Sequence, residues 1–179
     1  MQKTTYDIMG RPTAEQFARQ QKIPVTVVLD NVRSANNVGS FFRTCDAFAA
    51  ERLVLCGITA VPPSKDIHKT ALGAEQTVAW EYFPTTAQAL TALEADGYII
   101  VAVEQVDGAI ELQSFIPHPD AKYALVFGNE VDGVGQAALD ECDSAIEIPQ
   151  VGTKHSLNVA VSGGAVLWHF FAHYGYTKP

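Results

Sequence analysis

Apolar runs of strand length, separated by helical patterns, constrain the fold of this chain more than any other feature. Six mostly apolar runs lie at residues 25–29, 53–55, 78–83, 98–103, 123–127 and 145–148. Near-continuous apolar runs are typical of strands that are buried on both faces, as in parallel sheets. The sequence therefore predicts an α/β fold in which a mostly parallel sheet carries helices on both faces.

Helix signals fill the intervals between these runs. Thr13 and Gln16 form a capping-box pattern, which predicts a short helix over 13–22. Apolar residues recur at intervals of three and four across 38–48, and Asn37 is the natural N-cap of that helix. The remaining predictions are helices from 85 or 86 to 96 and from 157 to 173, and loops over 104–122 and 66–74.

Length and composition predict one domain over 1–179, in which 1–24 forms a short N-terminal helical extension. No apolar run approaches the roughly 20 residues that cross a bilayer, and the first residues lack the apolar stretch of a secretory signal. We therefore expect a cytoplasmic protein without a membrane partner. The three cysteines follow neither a disulfide nor a zinc spacing, which favours small buried thiols in a reducing compartment.

The net charge of −8 argues against a nucleic-acid partner, but the charges are unevenly distributed. Residues 1–69 hold 9 Lys/Arg against 6 Asp/Glu, whereas residues 70–179 hold 3 against 14. This clustering predicts a local basic surface for RNA, and the alternative is a scatter of solvated side chains. The residues of that surface would be Arg11, Arg19, Lys22, Arg33, Arg43, Arg52, Lys65 and Lys69.

Three polar blocks, dense in Asn, Gly, Arg and Ser, follow three of the predicted strands at 31–43, 128–130 and 148–158. The carboxyl ends of parallel strands meet at one edge of a sheet, where ligands bind. The blocks are therefore predicted to form a single site. A plain structural alternative exists for each: Asn37 or Ser156 as a helix cap, and Glu130 as the start of a turn.

Other candidates carry weaker signals. His169 and His173 are four residues apart, but no third ligand is evident, so no metal site is predicted. The pair Gly163-Gly164 lies inside the last predicted helix and requires a compensating close contact, for which a second subunit is the favoured candidate. No Gly-x-Gly-x-x-Gly follows the first strand, which counts against a dinucleotide-binding enzyme.

Taken together, the three blocks resemble the signature motifs of the SpoU (TrmH-like) branch of the SPOUT methyltransferases, and the match runs from about 25 to 171. The resemblance implies transfer of a methyl group from S-adenosyl-L-methionine to a ribose 2′-hydroxyl of RNA. It also implies a C-terminal trefoil knot and a homodimer. Only about 24 residues precede the first strand, which makes tRNA a better expectation than rRNA as substrate.

The resemblance carries roles onto matching positions. Arg43 would come from the partner subunit as an electrostatic clamp, because a guanidinium is effectively never deprotonated and is a poor base. Glu130 would orient Arg43 or the ligand. The implied cofactor-binding residues are Val103, Gly128, Ile148, Ser156, Leu157 and Asn158; the catalytic residues are Asn37, Arg43, Glu130 and Ser156; and the RNA-binding residues are Arg11, Arg19, Lys22, Arg33 and Arg43.

Two other functions remain open from the sequence. A non-catalytic RNA-binding or assembly factor that keeps the fold would show no affinity for the cofactor. The sequence retains the polar residues of the predicted site, which argues against such a factor. A methyltransferase of small molecules would be fully active without RNA.

Overall fold

A seven-stranded sheet forms the centre of the computed structural model, which describes residue 10 and residues 12–175. All pairings between neighbouring strands are parallel, and the spatial order is β3-β2-β1-β6-β4-β7-β5. The strands are β1 (Ile23–Asp30), β2 (Ala50–Cys56), β3 (Trp80–Phe83), β4 (Tyr98–Val103), β5 (Ile110–Glu111), β6 (Lys122–Phe127) and β7 (Ser144–Glu147). The predicted parallel α/β sheet is confirmed.

Helices cover both faces of this sheet. They are α1 (Ala14–Arg19), α2 (Ala35–Ala47), α3 (Lys65–Ala71), α4 (Thr86–Ala95), α5 (Gln136–Leu139) and α6 (Val159–Tyr174). Successive residues of a strand point to opposite faces. Accordingly, Val27 and Leu29 of β1 lie in the core beneath α2, α3 and α6, whereas Val28 lies in the core beneath α4 and α5. Burial on both sides explains why the strands appear as near-continuous apolar runs.

Two helix starts differ from their predicted positions. The N-cap of α2 is Ser34, whose hydroxyl accepts a hydrogen bond from the Asn37 backbone N–H at 3.3 Å, so the prediction of Asn37 as the cap is wrong. The N-cap of α6 is Asn158, which accepts from the N–H groups of Ala160 and Val161. The alternative reading of Ser156 as a cap is therefore also wrong. Asn and Ser are equally good caps, so residue type alone does not choose between them.

Two predicted loops contain secondary structure. Within 66–74 the chain forms α3, capped by Ser64 and held by the buried side chains of Ile67 and Ala71. Within 104–122 it forms β5, which pairs with β7 at the edge of the sheet. Both elements are too short for periodicity to reveal them. The capping box of Thr13 and Gln16 is confirmed, although α1 ends at Arg19 rather than at residue 22.

Gly163 is explained by a contact within the chain. A Cβ built on Gly163 would lie 2.3 Å from Cε1 of Phe41, so α6 packs against α2 with no room for a side chain. The prediction that a second subunit compensates this glycine is therefore wrong. Gly164, in contrast, has no atom within 4 Å of its Cβ position among the described residues.

The cysteines are free thiols. Cys45 and Cys56 are buried and Cys142 is partly buried. Burial raises the pKa of the Cys45 and Cys56 thiols to about 12 and that of Cys142 to about 11, which keeps them protonated and unreactive. Over residues 12–175, no helix is both long and apolar enough to cross a membrane. The trefoil knot stays a prediction of the resemblance.

Candidate functional site

A cavity of about 530 Å³ opens where β4, β6 and β7 end and α6 begins. This volume falls in the range of small-molecule sites, roughly 300–1,000 Å³. Glu130 lines it, as do all six residues at which the resemblance places a cofactor. Those six are Val103, Gly128, Ile148, Ser156, Leu157 and Asn158. The second and third polar blocks thus form one wall each of the same cavity.

Gly128 is required by the protein's own backbone. A Cβ at this position would lie 1.9 Å from the carbonyl carbon of Gly133 and 2.0 Å from the Val134 nitrogen. The chain turns back here, and Asn129 and Gly133 exchange two backbone hydrogen bonds of 3.0 and 3.1 Å. The glycine therefore allows the segment 128–134 to fold into a cavity wall.

Two carboxylates that the sequence reasoning missed fix this wall. Glu104, directly after β4, accepts hydrogen bonds from the N–H groups of Val134 at 3.0 Å and Gln105 at 2.8 Å. Asp30, the buried last residue of β1, accepts from the Gly135 N–H at 2.8 Å and from the Thr86 hydroxyl. In the sequence, only their position at the ends of predicted strands could have indicated this role.

Hydrogen bonds join all three polar blocks. Glu130 accepts from the Asn37 amide at 2.7 Å and from the backbone N–H groups of Arg33 and Ser34 at 3.1 and 3.2 Å. The side-chain oxygen Oδ1 of Asn37 accepts in turn from the side-chain amide of Asn158 at 3.2 Å. The prediction that the blocks meet at one edge of the sheet is confirmed by these contacts.

The Glu130 carboxylate is held in its charged form. Burial alone would raise its pKa, but the hydrogen bonds from the Asn37 side chain and from the Arg33 and Ser34 backbone outweigh burial and lower the pKa. In the described part of the chain no hydrogen bond or ion pair joins Glu130 to Arg43. The structure thus does not show the expected orientation of Arg43 by Glu130; Glu130 instead fixes Asn37 and the start of α2.

We expect the contribution of Glu130 to stability to depend on pH. Because its folded-state pKa lies below the ordinary 4.5, the stabilisation is complete above that pH and is lost as the pH falls through the lowered pKa. Glu130→Gln should therefore lower the free energy of unfolding at pH 7 by about 1 kcal/mol, a modest value because the carboxylate is exposed. Urea titrations of both proteins between pH 7 and pH 3 measure this difference, which should shrink below about pH 4.5.

Glu94→Gln is the matched control, because the exposed Glu94 side chain on α4 makes no hydrogen bond or ion pair with residues 12–175. Its unfolding curve should follow that of the wild type at neutral pH. An equal effect of the two substitutions would contradict the assigned role of Glu130.

The predicted RNA-binding residues differ in their surroundings. Arg33 makes an ion pair of 3.7 Å with Asp132 at the cavity wall. Lys22 donates a 2.7 Å hydrogen bond to the Phe17 carbonyl, and burial lowers its pKa to about 8, so its positive charge is less available than the sequence suggested. Arg19 is exposed at the end of α1. Arg11 lies outside the described residues.

Arg43 is exposed on α2 and makes no hydrogen bond or ion pair with any residue that the structure describes. It does not line the cavity of its own chain. The structure therefore brings Asn37, Glu130 and Ser156 to the cavity region of one chain, but leaves the fourth predicted catalytic residue, Arg43, facing solvent.

The two histidines that the sequence singled out and a third, His155, occupy two places. His155 lines the cavity. Nε2 of His169 lies 2.6 Å from the Phe115 carbonyl oxygen, and Nδ1 of His173 lies 2.8 Å from the His169 carbonyl oxygen, so both side chains on α6 have backbone partners.

Comparison with known sequences identifies relatives of the chain. The profile of the SpoU rRNA Methylase family matches residues 24–168. The 23S rRNA (guanosine-2′-O-)-methyltransferase RlmB of Neisseria meningitidis is 31% identical over 144 residues, which cover 80% of this chain and 56% of that protein. The chain spans less than two thirds of the length of the first curated relatives that it matches.

Solved structures share the fold. The TrmH/SpoU tRNA modifying enzyme of A. aeolicus has a TM-score of 0.79 and 25% identity, over 89% of this chain and 80% of that one. The AdoMet-bound rRNA methyltransferase of Sinorhizobium meliloti has a TM-score of 0.78 and 26% identity, over 88% of this chain and 60% of that one. The family profile covers more than half of the sequence, and the sheet, the cavity and the three polar blocks agree with it: this chain belongs to the SpoU rRNA methylase family.

Proposed function

We propose that this protein transfers a methyl group from S-adenosyl-L-methionine to a ribose 2′-hydroxyl of RNA in the cytoplasm. One observation carries the proposal: the cavity is lined by Gly128, Ser156 and Asn158, and Asn158 is hydrogen-bonded to Asn37 of the first block. Membership of the family supports it, as does the Neisseria relative, which is named a 2′-O-methyltransferase.

The cavity fits S-adenosylmethionine in size and charge. Its apolar lining includes Val103, Ile148 and Leu157. The lining contains four carboxylates and, among the described residues, no Lys or Arg, which suits the positive sulfonium and ammonium groups of this cofactor. The carboxylates are Glu104, Glu130, Asp132 and Glu147. When bound, the cofactor supplies the methyl group.

The residues around the cavity would orient the acceptor ribose. Asn37 is fixed on two sides, by Glu130 and by Asn158, which leaves it little freedom at the cavity mouth. Glu130 is unsuited to be the general base, because its hydrogen bonds lower its pKa. Arg43 would stabilise the negative charge that develops on the 2′-oxygen and would hold the neighbouring phosphate.

A homodimer is part of this proposal, because Arg43 does not line the cavity of its own chain. Helix α6 presents an exposed apolar stripe in which Val161 is 58% and Trp168 is 56% exposed. Gly164 and Ala165 lie between them on the same side of the helix. A continuous apolar stripe of this kind is typical of a protein interface, and we propose that a second copy of the chain covers it.

Trp168→Glu is expected to convert the dimer to a monomer, because a carboxylate would have to be desolvated in the interface. Sedimentation velocity measures the mass. Trp80→Glu is the matched control: Trp80 is 37% exposed on β3 at the edge of the sheet, and its replacement should leave the dimer intact. If Trp168→Glu remains dimeric, α6 is not the interface.

The substrate RNA is proposed to be tRNA. The A. aeolicus relative is described as a tRNA modifying enzyme, which supports this choice, whereas the Neisseria relative is named for 23S rRNA.

The test combines cofactor binding with methyl transfer. Isothermal titration measures S-adenosylmethionine affinity, and incubation with methyl-labelled cofactor and total tRNA or rRNA measures transfer. We expect micromolar-range binding and label at a 2′-hydroxyl. Cofactor binding without transfer to any RNA would overturn the RNA activity, and absence of binding would favour a non-catalytic RNA-binding factor.

A further inference from the structure

Helix α3, which the sequence alone placed in a loop, is fixed against the start of α2. The Thr70 hydroxyl donates a 2.9 Å hydrogen bond to the Asn36 carbonyl oxygen. A Cβ on Gly39 would lie 2.1 Å from that hydroxyl and 2.3 Å from the Ile67 carbonyl oxygen, so the two helices touch through their backbones. Because Asn36 adjoins Asn37, α3 lies beside the residue that links α2 to the cavity.

Two unpaired cations lie on this helix. Lys65 and Lys69 are exposed, one helical turn apart on the same side, and neither has a hydrogen bond or ion pair with residues 12–175. The neighbouring His68 is engaged with Glu75 at 2.5 Å. The one other charge on α3 is Asp66, which is also exposed.

A third unpaired cation belongs to the same surface. Arg43 follows Gly39, the residue of α2 that α3 touches, by four residues, so the exposed Arg43 side chain lies on the same side of α2, one turn further along. Two other arginines, in contrast, are engaged in ion pairs: Arg33 with Asp132, and Arg52 with Glu81 and Asp96. In a chain of net charge −8, three unpaired cations on two packed helices mark a surface suited to an anionic ligand.

We infer that α3 is an RNA-backbone-binding element, in which Lys65 and Lys69 contact phosphates next to the nucleotide that Arg43 of the same chain engages. This inference rests on the proposed function. Phosphate contacts fix the register of a nucleic acid without reading its sequence. The acidic lining of the cavity repels RNA, so cations outside the cavity are needed to hold the strand while the target ribose is presented.

The variant Lys65→Ala/Lys69→Ala tests the inference against the wild type. We expect the Kd for substrate RNA to rise about tenfold at 0.15 M salt, and the slope of log K against log salt to become shallower by about 1.4, which is two phosphates at about 0.7 each for single-stranded RNA. The Kd for S-adenosylmethionine should not change. Each single variant should give about half the change in slope.

Lys122→Ala is the control for a lost positive charge. Lys122 is exposed at the first residue of β6, at the opposite end of the strands from the cavity, and its removal should leave the RNA affinity and the slope at wild-type values. Circular dichroism verifies the fold of each variant. Wild-type values of Kd and slope in the α3 double variant, with methyl transfer by the wild type intact, would overturn the assignment of α3. Absence of transfer by the wild type would overturn the proposed function itself.

Discussion

Arg43→Ala is expected to reduce kcat for RNA methylation by at least about 100-fold, the size of effect seen when one charge-stabilising donor is removed from a transition state. S-adenosylmethionine affinity and dimer mass should remain unchanged, because the exposed Arg43 side chain does not line the cavity and makes no hydrogen bond or ion pair with the described residues of its own chain. Single-turnover methyl transfer measures the loss. Arg43→Lys should rescue little, since lysine lacks the planar fork that holds a phosphate oxygen and the ribose oxygen together.

A mixed dimer decides whether Arg43 acts on the cavity of the partner. One subunit carries Arg43→Ala, and the other carries Leu157→Trp, which fills the cavity that Leu157 lines. If Arg43 acts in trans, the open cavity of the first subunit receives the intact Arg43 of the second, and activity returns on mixing. If Arg43 acts within its own chain, the mixture stays as inactive as either parent, and the proposed dimeric site is wrong.

Gly128→Ala is expected to be the most damaging small substitution in the cavity. The added methyl group would meet backbone atoms of Gly133 and Val134 at 1.9 and 2.0 Å, and backbone cannot rotate away as a flexible side chain can. We expect the free energy of unfolding to fall by about 1–3 kcal/mol, because the turn that forms the cavity wall must open. Affinity for S-adenosylmethionine should fall below detection. Urea denaturation and isothermal titration measure the two effects.

Gly152→Ala provides the matched control for this substitution. Gly152 lies in the loop before α6, and its Cβ position has no described atom within 4 Å. Its stability and cofactor affinity should equal those of the wild type. Comparable losses in both variants would show that the tight turn at Gly128 is not the cause.

The polar blocks show which properties of a site a sequence pattern can predict. Their convergence was predictable, because strands ending in a parallel sheet bring their following loops to one edge. The hydrogen-bond partner of each side chain was not predictable. Asn37 was predicted to cap α2, yet Ser34 is the cap and Asn37 is bound by Glu130, 93 positions away, and by Asn158, 121 positions away. No local pattern contains such a pairing.

The basic residues likewise separate what a sequence pattern predicts from what only the structure shows. Counting charges predicted that cations cluster in the first 69 residues, but it gave Lys22 and Lys65 equal standing. In the structure the Lys22 ammonium is bound to the Phe17 carbonyl, whereas Lys65 on α3 is exposed without a partner in the described part of the chain. Because α3 has only seven residues, its packing on α2, rather than its apolar period, reveals the surface that it forms with Arg43.

The sequence by itself determined six of the seven described strands, the parallel α/β arrangement and the edge at which the polar blocks meet, because burial on both faces leaves a local apolar pattern along the chain. Only the tertiary structure decided why Gly128 and Gly163 must be glycine, which carboxylates hold the cavity wall and which cations remain unpaired. Those properties depend on close approaches between segments that lie far apart in sequence, where the free energy of one side chain is set by neighbours that the local pattern does not contain.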